Sequence, residues 1–217
     1  MLDRLFFCKF APRGLSADKT SAMKSDKLLQ ELQMLNCVKV LERGETLLYP
    51  TDTIWGLGCD ATNKEAVSKV YRIKGRSEDK SFIILVSSMD MLKQYVEELP
   101  PMACDLIEAM NETPLTIIYP KSANLPDNVT AEDGSIAIRL VNNIFCADLI
   151  SRFGKPIVST SANLSGEPSP LCLADISPQL ISSVDHIAIV EDSSARKLQP
   201  SRIIRLEKSG MFSIIRD

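Results

Sequence analysis

Histidine is nearly missing from this 217-residue chain, which carries only His186. One imidazole cannot build a multi-histidine metal site, and any Ser-His-Asp relay would have to run through it. His186 opens the apolar run 186–190, where an isolated polar residue is normally a solvated strand end. The six cysteines (Cys8, Cys37, Cys59, Cys104, Cys146, Cys172) include no C-x-x-C pair. That argues against a zinc ribbon and a disulfide scaffold, and leaves small buried hydrophobes of a reducing, cytoplasmic compartment. No run approaches the ~18–20 apolar residues of a membrane helix. Excess positive charge is missing too: 25 Lys and Arg against 28 Asp and Glu leave −3. Nucleic acid cannot be held by a global basic field, so any anion site must be a local cluster.

What is present suits one domain. Hydrophobic residues are 45 % and charged residues 24 %, as in an average soluble protein. Residues 1–24 stand apart, mixing Phe6, Phe7 and Phe10 with Arg4, Lys9 and Arg13 without a sustained period. They read as an N-terminal extension, with Met23 the simpler translation start, and the domain is expected over 25–217. From there the pattern is regular. Ser25 is placed as an N-cap, and Leu28, Leu29, Leu32, Leu35, Val38 and Leu41 form an apolar face that Gly44 ends. A strand over 46–49 leads into a loop over 51–61. Asn63 caps a second helix with Ala66, Val67, Val70 and Ile73 on its stripe and Gly75 at its end. Further strands are expected at 82–86, 115–119, 135–141, 156–160, 186–190, 201–206 and 212–215. Helices are expected from about Ser88, about Pro101 and over 143–153. Helices alternating with strands give an α/β class with a mixed sheet.

Three polar segments follow apolar strands, where open sheets place ligands. Pro50-Thr51-Asp52-Thr53-Ile54-Trp55-Gly56-Leu57-Gly58 offers hydroxyls, and glycines that permit close backbone approach; it also reads as a turn stabilised by Asp52. Within 69–80, five cations including Lys74, Arg76 and Lys80 gather around Gly75. They could grip an anion or simply complement a helix C-terminus. Ser159-Thr160-Ser161-Ala162-Asn163-Leu164-Ser165-Gly166-Glu167-Pro168-Ser169 can hydrogen-bond phosphate, ribose or an amino acid, or form a capped turn. Arg139 sits within an apolar strand and needs an anion, from a ligand carboxylate or from a structural Asp or Glu.

Taken in order, these segments resemble the YrdC-like threonylcarbamoyl-AMP synthase family. The resemblance also uses Pro114-Leu115-Thr116, Ile136-Ala137-Ile138-Arg139-Leu140, Gly154-Lys155-Pro156, Pro200-Ser201 and Ile214-Ile215-Arg216, and spans Ser25 to the end. It implies a twisted open mixed sheet flanked by helices around one deep cavity. The implied reaction joins L-threonine, bicarbonate and ATP with Mg²⁺ into threonylcarbamoyl-AMP and pyrophosphate, for threonylcarbamoyl-adenosine modification of tRNA. By the same resemblance, Lys74 and Arg76 are the catalytic pair and hold the triphosphate with Lys80. Thr116, Ser135, Ser161, Asn163, Ser169 and Arg216 match nucleotide positions. Thr53, Arg139, Ser159 and Ser201 match positions around threonine. Substituting Lys74 or Arg76 is expected to lower turnover and spare stability. No resident metal site or membrane contact is implied; tRNA contact is weak or indirect, with the threonylcarbamoyl-transfer complex as the partner.

The chain departs from the family pattern in places. Asn111-Glu112-Thr113 replaces a frequent Pro-Gly, Leu85 stands where a histidine near the amino acid is common, and Arg202 follows Ser201 where a threonine is common. An RNA-binding or ribosome-associated module is the alternative from another class. The acidic balance and the 6 % aromatic content weigh against it, because base-stacking platforms need more rings. A carbamoyl-transfer module with another acceptor is a third reading.

Overall fold

The computed structural model describes residues 19–77, 80–110, 113–189, 200–207, 209 and 211–217. Most of the extension (1–18), Asn111, Glu112 and the end of the 186–190 run at Val190 lie outside them. Short apolar runs become strands β1 (Leu47–Tyr49), β2 (Gly56–Gly58), β3 (Ile83–Val86), β4 (Leu115–Tyr119), β5 (Ile136–Leu140), β6 (Ile157–Ser161), β7 (His186–Ile187), β8 (Arg202–Leu206) and β9 (Phe212–Arg216). They form one nine-stranded sheet in the order β7-β1-β2-β6-β3-β5-β4-β8-β9. Three pairs are parallel (β1–β7, β3–β5, β4–β8) and the other five antiparallel, giving the expected mixed sheet.

The helices are α1 (Lys19–Glu42), α2 (Lys64–Lys74), α3 (Met89–Gln94), α4 (Pro101–Ala109), α5 (Ile144–Phe153) and α6 (Pro178–Ser183). Their starts follow local chemistry. Asn63, Ser88 and Asn143 each accept a backbone N–H with the side chain, satisfying one of the orphan donors of a first turn. On one face of the sheet, Ala66, Val67 and Val70 of α2 and Leu180 of α6 pack with Leu57, Ile84, Ile138 and Ile204. On the other, Met34, Val40 and Leu41 of α1 and Leu149 and Ile150 of α5 pack with Leu47, Tyr49, Leu85 and Ile157. Each of the valine, leucine, isoleucine and methionine side chains contributes roughly 1.5–3 kcal/mol when fully buried.

The structure corrects three sequence expectations. First, α1 starts at Lys19, so Ser25 lies inside it and caps nothing. Second, its buried side is Met34, Cys37, Val38, Val40 and Leu41, while Leu28, Leu29, Leu32 and Leu35 are exposed. Only the C-terminal part of α1 meets the sheet and α5, and that contact, not leucine spacing, selects the buried stripe. Third, the expected loop 51–61 contains strand β2, antiparallel to β1 and β6. Gly56 lines a cavity, whereas Gly58 is closed off by the protein itself. A Cβ on Gly58 would lie 2.1 Å from the Val158 carbonyl oxygen and 2.9 Å from the Tyr49 ring, so the close approach is internal.

Candidate active site

The site begins with alternation along strands. The register places Ser159, Ile83, Ala137 and Ile118 side by side across β6, β3, β5 and β4. This row lies on the face shared with α1 and α5, and it floors a cavity of about 340 Å³, within the usual range of ligand sites. Thr51, Thr53 and Trp55 line it from the β1–β2 connection, and Arg76 and Phe82 from the α2–β3 connection. Ser161 at the end of β6 and Ser169 in the loop beyond it close the cavity, with Ser201 and Arg216 at the far strands.

Three guanidinium groups line this space: Arg76, Arg139 and Arg216. Gly75 ends α2 at φ 58°, a left-handed turn that suits glycine and redirects the chain at Arg76. Arg76 then donates from Nη2 to the Ser81 carbonyl at 2.9 Å and lies over the Phe82 ring. Arg216 donates from Nε and Nη2 to the Ser201 carbonyl at 3.0 and 2.8 Å. Burial and the neighbouring Arg139 cation pull its pKa below the ordinary value. Arg139 has only 5 % of its surface exposed. It faces Asp52 at 3.3 Å (Nη2 to Oδ1) and donates from Nη1 to Thr53 Oγ1 at 3.4 Å. Its Nε is buried with no hydrogen-bond partner. Donor accounting fixes the hydroxyls behind it: Thr51 gives its proton to the Ile54 carbonyl, so Thr53 donates to Thr51.

Lys74 is buried beneath the β6 loop. Its ammonium donates to the Ser161 carbonyl (2.6 Å), the Asn163 carbonyl (2.7 Å) and Asn163 Oδ1 (3.2 Å), engaging its full set of protons. Burial first, then Arg76, lowers its pKa to about 8, while Glu167 opposes the shift. Ser161 donates to Asn163 Oδ1, and Ser165 N–H donates to the Lys74 carbonyl. The cationic segment of the seventies and the serine loop near 160 are therefore bonded to each other at the cavity rim. This anchoring also changes the expectation for Lys74, whose loss removes structural bonds as well as a charge.

Residues 39–217 match the model of the Sua5/YciO/YrdC family, described as "Telomere recombination". The chain belongs to the Sua5/YciO/YrdC family. It is 37 % identical over 188 residues to a threonylcarbamoyl-AMP synthase of Xanthomonas oryzae, covering 86 % of this chain and 98 % of the relative. A threonylcarbamoyl-AMP synthase of Vibrio campbellii is 33 % identical over 168 residues, 76 % of this chain and 90 % of the relative. Among solved structures, P. abyssi Sua5 complexed with L-threonine superimposes with a TM-score of 0.77 at 27 % identity, covering 86 % of this chain and 54 % of Sua5. E. coli YciO superimposes with a TM-score of 0.71 at 25 % identity, covering 87 % of this chain and 89 % of YciO.

In this Sua5/YciO/YrdC chain, Thr53, Arg76, Arg139, Ser159, Ser161, Ser169, Ser201 and Arg216 line the common cavity. Other expected site residues lie off it. Lys74 and Asn163 brace the serine loop, and Thr116 Oγ1 supports Ser201 Oγ at 2.7 Å. Ser135 is buried one step along the cavity face from Ala137, its N–H on Asp133. Lys80 is exposed, and its carbonyl accepts from Tyr71 and Arg76. Leu85 is fully buried and paired in register with Arg139, and packs in the core behind the cavity wall. His186 belongs to the sheet-edge strand β7, apart from the cavity lining. Sequence reasoning did not single out Phe82, Ser81 or Ala137 as lining residues. For Ala137 the two-residue step to Arg139 was the available signal; the others depend on how the loops pack. Asp52, read as a turn stabiliser, instead serves the Arg139 cation.

Proposed function

We propose that this protein is an L-threonylcarbamoyladenylate synthase, a nucleotidyltransferase acting on L-threonine, bicarbonate and MgATP. One observation carries the reading furthest: Arg76, Arg139 and Arg216 converge with the β6 hydroxyls on a single cavity in a chain of net charge −3. The names of the Xanthomonas and Vibrio relatives and the threonine complex of Sua5 support it.

The chemistry follows from charge. Bicarbonate carboxylates the threonine amine with loss of water, and a carbamate oxygen attacks the α-phosphorus of ATP. The bond to the bridging oxygen breaks and pyrophosphate leaves. Anion meets anion in this step, so positioning and neutralisation carry most of the catalysis. Arg139 holds the threonine carboxylate beside Thr53, Ser159 and Ser201. Arg76 and Arg216 face the phosphates, with Ser161 and Ser169 on the nucleotide and Lys74 and Asn163 keeping that loop in place. Magnesium enters with the triphosphate as part of the substrate. The product serves tRNA modification through a threonylcarbamoyl-transfer partner in the cytoplasm, with tRNA contact indirect. Incubation with ATP, Mg²⁺, bicarbonate and single amino acids tests the reading. Pyrophosphate release is expected with threonine and bicarbonate together and not with alanine; release of equal rate without threonine would contradict it.

A further inference from the structure

The amino-acid end of the cavity contains a charge that the reaction chemistry does not by itself explain. Arg139 is a buried cation on β5, yet both of its contacts are long: 3.3 Å to Asp52 and 3.4 Å to Thr53. Its Nε is buried without a hydrogen-bond partner, and so is Asp52 Oδ1, the oxygen that faces the guanidinium. A donor on a lining residue and an acceptor directly behind the lining are thus both under-satisfied. A buried polar atom without a partner is costly, so a ligand that supplies both partners gains on both counts. Among the residues lining the cavity the charged ones are the three arginines, and the carboxylate behind them at this end belongs to Asp52.

We propose that Asp52 is the specificity-determining residue of the amino-acid subsite. It sets a carboxylate against the Arg139 guanidinium and makes that subsite selective for a zwitterion over a simple carboxylate. The inference rests on threonine occupying the Arg139 end of the cavity. The Asp52 carboxylate and the Arg139 guanidinium lie 3.3 Å apart and offer one partner of each sign. A ligand bringing both an ammonium and a carboxylate matches them, with the carboxylate toward Arg139 and the ammonium toward Asp52. A 2-hydroxy acid of the same shape brings only the anion, which Arg139 attracts and Asp52 repels. Removing the Asp52 charge weakens the preference, because a buried guanidinium without that carboxylate holds the monoanion more tightly.

The test compares binding of L-threonine with that of 2,3-dihydroxybutanoate, in which a hydroxyl replaces the amine, by titration calorimetry. Wild type is expected to prefer threonine. Asp52→Asn is expected to shrink that preference at least tenfold, mainly by tightening the hydroxy acid, and Asp52→Glu to keep most of it. Binding of MgATP to each variant serves as the folding control and is expected to change less than twofold. An unchanged preference ratio in Asp52→Asn with MgATP binding intact overturns the inference while leaving the synthase reading in place. If Asp52→Asn does not fold, equal binding of the two ligands by wild type overturns the inference instead. Failure of wild type to bind threonine at all overturns both.

Discussion

A buried lysine whose protons are all committed behaves differently from one waving in solvent. The Lys74 ammonium is tied to Ser161 and Asn163, so it acts on a nucleotide by its field and by fixing the serine loop. Its pKa of about 8 has burial as the main cause. The sign is direct: as pH rises through about 8 the ammonium loses its proton, the cavity loses a positive charge, and an anionic ligand is held less well. Affinity for ATP is therefore expected to fall above pH 8, by about tenfold between pH 7 and pH 9 if binding requires the protonated form. Lys74→Met is expected to bind weakly and with little pH dependence over that range. Calorimetric titration with MgATP checks both, and a wild-type affinity flat to pH 9.5 would remove the role assigned to this proton.

At the level of elements, β2 shows how packing overrides local pattern. Gly-Leu-Gly has no alternation and reads as a turn, yet it pairs with both β1 and β6. Only the Tyr49 ring and the Val158 carbonyl, brought in by other strands, explain the glycine at position 58. Gly58→Ala must push a backbone carbonyl aside, which typically costs about 1–3 kcal/mol. Urea unfolding is expected to shift to a lower midpoint by that amount, and a wild-type midpoint would show that the strand yields freely. Elements set by neighbouring residues were readable in advance: the Asn63 cap, the helix starts near Ser88 and Asn143, the Gly75 stop, and strands β4 and β5. What long-range contact decides was not, including which stripe of α1 is buried and where Lys74 spends its protons. The same division runs through the site. Arg139 announced itself as a cation in an apolar strand, whereas its pairing with Asp52 depends on how the β1–β2 connection lies against β5.

On the scale of the whole molecule, the cavity exists only when distant segments meet. Thr53, Arg76, Arg139, Ser159, Ser201 and Arg216 come from connections and strands across the sheet, so a ligand that bridges them binds the folded state and not the unfolded chain. Binding at one hundred times the dissociation constant adds about 2.7 kcal/mol of stability. For a chain of this size that raises the melting temperature by about 5–10 °C. Arg76 donates to the Lys80 and Ser81 carbonyls and lies over Phe82, so Arg76→Ala is expected to cost the free protein about 1–3 kcal/mol. Its effect should appear in the ligand response instead: a tenfold weaker affinity cuts the stabilisation at the same MgATP concentration to about half. Calorimetric melts of both proteins, each referred to its own unliganded value, separate the two effects. A full wild-type shift in Arg76→Ala would take this arginine out of the nucleotide site, and a large loss in its unliganded melt would make it a structural residue.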